Sequence, residues 1–238
     1  MVQNTSLRNI VSTLLIAYYL LNNRTSSVFA NATMFRQAFR MIKYDRASNE
    51  RNAIPALNIM DTALSWYRLD DGVMGGQSQT THSSSQETGA LDFKGEINTS
   101  GGGFTSIRSK IANGLPADAI AIRLTLTGDG KTYKLMLSDG SASRMGSISW
   151  QADIPTEADG REQTVTIRLS DLKPSSGPRK INLADVKPLI AAEMKEIGVM
   201  LSLKLSDGSD NPKETFGEGI FDFTLKVLSI EPVSSLDN

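Results

Sequence analysis

The sequence contains no cysteine. Disulfides, thiolate metal sites, iron–sulfur clusters and cysteine nucleophiles are excluded together. Cysteine usage therefore leaves the redox compartment open. There is one histidine, His82. Histidine-based metal centres fall away, and only one residue remains to complete a serine triad with Ser78 or Ser106. A basic excess is also missing: 25 Lys and Arg meet 26 Asp and Glu, for a net charge of −1. Coating nucleic acid requires a clear surplus of cations, so nucleic acid is not an expected partner. No uninterrupted apolar run approaches the roughly 20 residues of a membrane-spanning helix. The longest stretch, Ile10–Leu21, is broken by Ser12 and Thr13.

Acidic residues are absent before Asp45, while Arg8, Arg24, Arg36, Arg40, Lys43, Arg46 and Arg51 crowd the first 60 positions. A basic leader, residues 1–57, thus precedes a mildly acidic body, residues 58–232, and a short tail, residues 233–238. The apolar stretch with Arg8 before it suits a signal-peptide core, and Val28 and Ala30 suit cleavage after Ala30. Beyond it, Phe35, Phe39 and Ile42 share a helical face with Arg36, Arg40 and Lys43 interleaved. The leader reads as a mitochondrial presequence, as a signal core plus transit sequence for a plastid, or as a secretion or membrane-lying segment.

From about Asn58, short β-rich runs alternate with Gly, Asp, Asn, Ser and Pro. Strands are expected at 90–97, 103–110, 119–127, 133–137, 148–153, 163–168, 196–203 and 219–230. Ile120, Ile122, Leu124 and Leu126 fall on one face, as do Phe221, Phe223, Leu225 and Val227 before the pattern shifts to Leu228 and Ile230. One-sided burial at period two predicts antiparallel sheets packed face to face, an all-β sandwich of jelly-roll type. One helical insert is expected over 183–195, where Val186, Leu189, Ile190 and Met194 form a stripe. Residues 84–86, 174–178 and 206–212 read as exposed loops, and the chain after Pro232 as frayed.

Three glycine-rich segments stand out. Trp66 leads into Asp70, Asp71, Gly72, Val73, Met74, Gly75, Gly76, Gln77 and Ser78. Its glycines demand backbone room, and its carboxylates suit a turn. It lacks the Gly-Lys-Ser/Thr of a phosphate loop. The second segment joins Gly101, Gly102 and Gly103 to Phe104, Ser106 and Arg108. The third joins Gly128, Asp129 and Gly130 to Tyr133 and Lys134. Arg108 and Lys134 are expected to pair with Asp70, Asp71 or Asp129, either as an ion-pair network that holds the loops or as a partner-binding patch. Trp66, Tyr133 and Trp150 read as core, with a sugar-stacking face as the alternative. A calcium site from Asp70, Asp71 and Asp129 lacks EF-hand spacing. His82 reads as a solvated loop residue.

The three segments, in this order and spacing, resemble the complex I intermediate-associated protein 30 family: Trp66; Asp71 to Gly76 with Ser78; Phe93 with Gly95; Gly101 to Phe104 with Ser106 and Arg108; Gly128 to Gly130 with Tyr133 and Lys134. The resemblance spans roughly residues 60–232. It implies a galactose-binding-like sandwich and a non-catalytic role without cofactor. The implied partners are protein subunits of a membrane-bound electron-transfer complex, respiratory complex I first. Peripheral membrane contact, a photosystem client in a plastid and a carbohydrate ligand are the alternatives. Candidate partner-binding residues are Trp66, Asp70, Asp71, Gly75, Gly76, Gln77, Ser78, Phe104, Arg108, Asp129, Tyr133 and Lys134.

Overall fold

A computed structural model describes residues 58–61, 64–85, 89–139, 148–177 and 181–236. The leader, with its apolar stretch, cleavage position and amphipathic segment, lies outside the described residues. Eleven strands follow in chain order: β1 (Tyr67–Asp70), β2 (Gln79–Ser84), β3 (Leu91–Asn98), β4 (Phe104–Lys110), β5 (Ala121–Thr127), β6 (Thr132–Ser138), β7 (Ser149–Pro155), β8 (Glu162–Arg168), β9 (Lys173–Ser175), β10 (Glu196–Ser202) and β11 (Ile220–Val233). They form a six-stranded sheet in the order β1-β4-β10-β6-β7-β9 and a five-stranded sheet in the order β2-β3-β11-β5-β8. All pairings are antiparallel. The protein is an all-β sandwich.

Period-two alternation sends one face of each sheet inward. Leu135 and Leu137 on β6, Ile197, Val199 and Leu201 on β10, Phe93 on β3, Ile122, Leu124 and Leu126 on β5, and Leu225 and Val227 on β11 are all fully buried. Each such side chain contributes about 1.5–3 kcal/mol through removal from water. Tyr133, Phe93 and Phe223 join the two sheets; the Phe93 and Phe223 rings meet edge to face at 4.9 Å. The pattern shift in the last strand is a β-bulge between Val227 and Ser229, which lets both Val227 and Ile230 face the core.

Several expectations need correction. No helix spans 183–195; the segment holds only two 3₁₀ turns, Leu183–Asp185 and Ala191–Glu193. Pro188 lies between them and would break a helix through its missing N–H and its ring. Leu183 and Ile190 face solvent. The α-helix among the described residues is instead α1 (Lys213–Phe216), which buries Phe216. β1, β2 and β9 were not expected. β2 is polar and places His82 in an exposed strand rather than a loop. β9 holds Pro174 at a sheet edge, where a missing donor is tolerated. Ile120 precedes β5 and is exposed. β11 extends to Val233, paired with Ala121, and Asn211, expected in an exposed loop, is buried.

The strand order brings the three glycine segments to one end of the sandwich. β1, β3, β5, β7 and β10 finish there, and β4, β6, β8 and β11 begin there. The loops after Asp70 and Asn98 are neighbours there, whereas the loop after Thr127 lies across β10 and β11 from them.

Candidate functional site

Asp71 is the centre of this end. It opens a 3₁₀ turn, Asp71–Met74, that closes on Gly75 in the left-handed region at φ 91°. The carboxylate has no solvent exposure. Its Oδ1 accepts the Ser78 N–H at 2.9 Å, and its Oδ2 accepts the Ser78 hydroxyl at 2.7 Å and the Gly103 N–H at 2.6 Å. The Phe104 N–H is a longer donor at 3.4 Å. Burial alone would raise the carboxyl pKa. The Ser78 hydroxyl and the Gly103, Ser78 and Phe104 N–H groups outweigh it and hold the group below its ordinary value. A Cβ on Gly76 or Gly102 would stand 2.3 or 2.2 Å from atoms of the Asp71 carboxyl group. The first two glycine segments thus form one device, in which two loops close around a shared carboxylate. Ser78 continues the network by accepting the Asn98 N–H at 3.0 Å.

Asp70 points elsewhere. It accepts the Thr80 hydroxyl at 2.6 Å and N–H at 3.2 Å, which ties β1 to β2 across the sandwich edge. Asp129 organises the third segment. Its Oδ1 accepts the buried Tyr133 hydroxyl at 3.0 Å and the Lys131 N–H at 3.2 Å. Its Oδ2 accepts the Thr224 N–H at 2.9 Å, beyond the point where β5 pairs with β11. Burial first, then the Asp129 charge and hydrogen bond, push the Tyr133 hydroxyl pKa far up.

The expected pairing of Arg108 and Lys134 with Asp70, Asp71 or Asp129 does not occur, because all three carboxylates are already engaged. Arg108 lies on the outer face of the six-stranded sheet, 3.8 Å from Glu196, with its Nε donating to Ser106. Glu196 also accepts the Tyr67 hydroxyl at 2.6 Å and the Ser138 hydroxyl at 3.2 Å. Burial first, and then Glu196, push the Tyr67 hydroxyl pKa up to about 12. Lys134 shares this outer face, opposite Asp153. The calcium arrangement does not form, because Asp129 occupies a different turn from Asp70 and Asp71. Among the described residues, no cluster of three or more His, Cys, Asp or Glu is placed to hold a metal ion. Tyr133 belongs to the core. Trp66 and Trp150 are half-buried and pack against it, Trp66 just before β1 and Trp150 on β7 near the opposite edge of the same sheet. They form no shared platform.

Two residues absent from the candidate set are large, apolar and exposed. Val73 is 69% and Met74 61% exposed, at the tip of the turn that Asp71 anchors. Gln77 is exposed beside them and accepts the Asn98 amide at 3.1 Å. Ile220, 63% exposed, begins β11 at the same end, paired with Asn98. The available sequence signal was a pair of apolar side chains inside a glycine turn with no β-strand or helix period to bury them.

A family model described as complex I intermediate-associated protein 30 matches residues 56–227. The chain belongs to this family. The family is associated with complex I assembly, and the match covers all three glycine segments. Among curated proteins, no sequence matches the chain. Carbohydrate-binding modules are among the solved structures with a partial likeness to the chain. The family 11 carbohydrate-binding module of a cellulosomal cellulase of Clostridium thermocellum is 14% identical, with a TM-score of 0.49 over 77% of this chain and 95% of that one. A family 11 module from Clostridium thermocellum in complex with a β-1,3-1,4-mixed-linked tetrasaccharide is 15% identical, with a TM-score of 0.46 over 74% and 92%. At this identity the likeness concerns the fold alone. Among the described residues, no helix is long and apolar enough to cross a membrane.

Proposed function

We propose that this family member is a non-catalytic assembly factor that binds partly built subunits of respiratory complex I in an organelle. Family membership over residues 56–227 carries the reading. The chemistry of the loop end supports it. Asp70, Asp71, Ser78 and Asp129 spend their polar atoms on internal bonds. They shape the loops and leave Val73 and Met74 as an anchored apolar contact. Apolar side chains held outward on an ordered turn gain by burial in a partner. The one histidine, His82, is exposed on β2, while Ser78 is engaged by Asp71. No serine–histidine relay supports catalysis.

The test is native-gel separation of solubilised organelle membranes, with this protein followed by mass spectrometry. Co-migration with NADH-dehydrogenase intermediates is expected. Co-migration with a photosystem would move the same mechanism to the plastid and overturn the complex I client. Recovery only as an unbound or secreted species would overturn the assembly role.

A further inference from the structure

A sheet presents unpaired N–H and C=O groups along its edges, and natural sheets guard them. The edge strands here are β1 and β9 in the six-stranded sheet and β2 and β8 in the five-stranded sheet. Three of them are guarded. β1 and β2 close over each other: Asp70 accepts the Thr80 N–H at 3.2 Å, and Arg68 Nη1 donates to the Thr80 carbonyl at 3.2 Å. β1 itself has four residues. β9 has three, one of them Pro174. β8 differs from all of these. It runs for seven residues, Glu-Gln-Thr-Val-Thr-Ile-Arg, without proline, glycine or lysine, and pairs with β5 without a bulge.

Hydrogen-bond alternation shows which groups of β8 are open. In an antiparallel pair, every second residue turns both backbone groups to its neighbour. The Leu169 N–H donates to the Ile120 carbonyl, which continues the β5–β8 register. Ile167, Val165 and Gln163 therefore bond β5, while Glu162, Thr164, Thr166 and Arg168 turn their N–H and C=O outward. Pro232 agrees with this phase. It has no N–H and sits opposite Ile122, so Ile122 turns its groups to β8. Among the described residues, none of the outward groups is hydrogen-bonded. The side chains of the same four residues are exposed, and Val165 between them is half-buried. Neither Glu162 nor Arg168 has an ion pair among the described residues.

This edge is complementary to itself. Antiparallel pairing with a second copy about Val165 sets Glu162 against Arg168 of the second copy and Thr164 against its Thr166. Every outward N–H then meets an outward C=O, and each end gains an opposite-charge pair. The two Val165 side chains face each other at the centre, at a position without hydrogen bonds, where side chains approach most closely. A register shift of two residues in either direction leaves outward groups unpaired and moves Glu162 off Arg168. We propose that β8 is a self-association edge, through which two copies of the chain join as a symmetric dimer and their five-stranded sheets become one. β8 begins at the loop end, so antiparallel pairing points the two loop ends in opposite directions and leaves both Val73–Met74 turns open. The dimer does not depend on what those turns bind.

The test is sedimentation of the full chain over a concentration series from about 1 to about 300 μM. One short edge is less than a permanent interface uses, so a reversible dimer with a Kd on the order of 10 μM is expected. Glu162→Arg sets two arginines against each other at both ends and is expected to weaken the dimer about tenfold. Glu162→Arg/Arg168→Glu exchanges the charges and is expected to restore it. Both positions are exposed, so the variants should melt with the parent. The Thr164 and Thr166 amides should exchange with solvent more slowly as protein concentration rises. A parent that stays monomeric at about 300 μM would overturn the proposal. So would an unchanged Glu162→Arg dimer, a double variant that stays weak, or amide exchange independent of concentration. Association through any other surface survives Glu162→Arg and is therefore told apart from pairing through β8.

Discussion

Asp71 turns a glycine-rich motif into a fixed object. Its oxygens accept the Ser78 and Gly103 donors while wholly buried, so removing its charge leaves those donors with a weaker acceptor. Asp71→Asn should cost about 2–4 kcal/mol in urea unfolding. The depressed carboxyl pKa gives the pH sign. Its contribution is complete above the unfolded value of about 4 and is lost as pH falls through the lower folded value. The asparagine variant should therefore lose less stability than the parent on acidification. Glycine substitutions separate room from flexibility. Gly76→Ala and Gly102→Ala drive a methyl into the Asp71 carboxyl group and should cost about 1–3 kcal/mol. Gly72, with nothing within 4 Å of its Cβ position, should tolerate alanine. Lys134 also makes stability rise with pH, but in an alkaline window and through relief of a penalty. Its pKa, lowered to about 8 by burial, means that the fold carries a penalty below that pH, relieved as pH rises towards the ordinary lysine value of about 10.4. Lys134→Met should raise the melting temperature at pH 7 and lose that advantage above about pH 10.

At the scale of elements, Asp129 joins three pieces of chain: its own turn, the buried Tyr133 on β6 and the Thr224 N–H on β11. Asp129→Ala should leave the sandwich folded but speed hydrogen exchange at the Lys131 and Thr224 amides, with about 1–2 kcal/mol lost. Most strands were legible in the sequence because burial on one face imposes period two. The bulge in β11 was visible too, as Val227, Leu228 and Ile230 breaking step. β2 and β9 were not legible. β2 is Gln-Thr-Thr-His-Ser-Ser and pairs through its backbone with β3, so its side chains carry no alternation. The stripe from Val186 to Met194 misled for the converse reason: a spacing compatible with a helix means little where Pro188 forbids one.

Across the whole molecule, the sandwich carries the loop end as a rigid display. Val73→Ser/Met74→Ser removes no buried contact, so the melting curve should stay within about 0.5 kcal/mol of the parent. Co-migration with complex I intermediates should nevertheless fall. A variant that migrates unchanged would move the contact elsewhere on the surface. Apolar periodicity, turn chemistry and the three glycine segments were enough, in the sequence alone, to establish a sandwich and its family, because each is a local pattern tied to backbone geometry or to an uncommon string of residues. The role of each motif residue depended on the tertiary structure. Asp70, Asp71 and Asp129 read alike as acidic turn residues, yet one ties β1 to β2, one is buried between two glycine loops and one caps an unpaired amide on β11. Those roles depend on donors contributed by segments distant in sequence. The same holds for Asp153, whose carboxylate accepts the Ser206 hydroxyl from a loop more than fifty residues away. Which side chains remain free to meet a partner is decided only when every other donor and acceptor has been assigned.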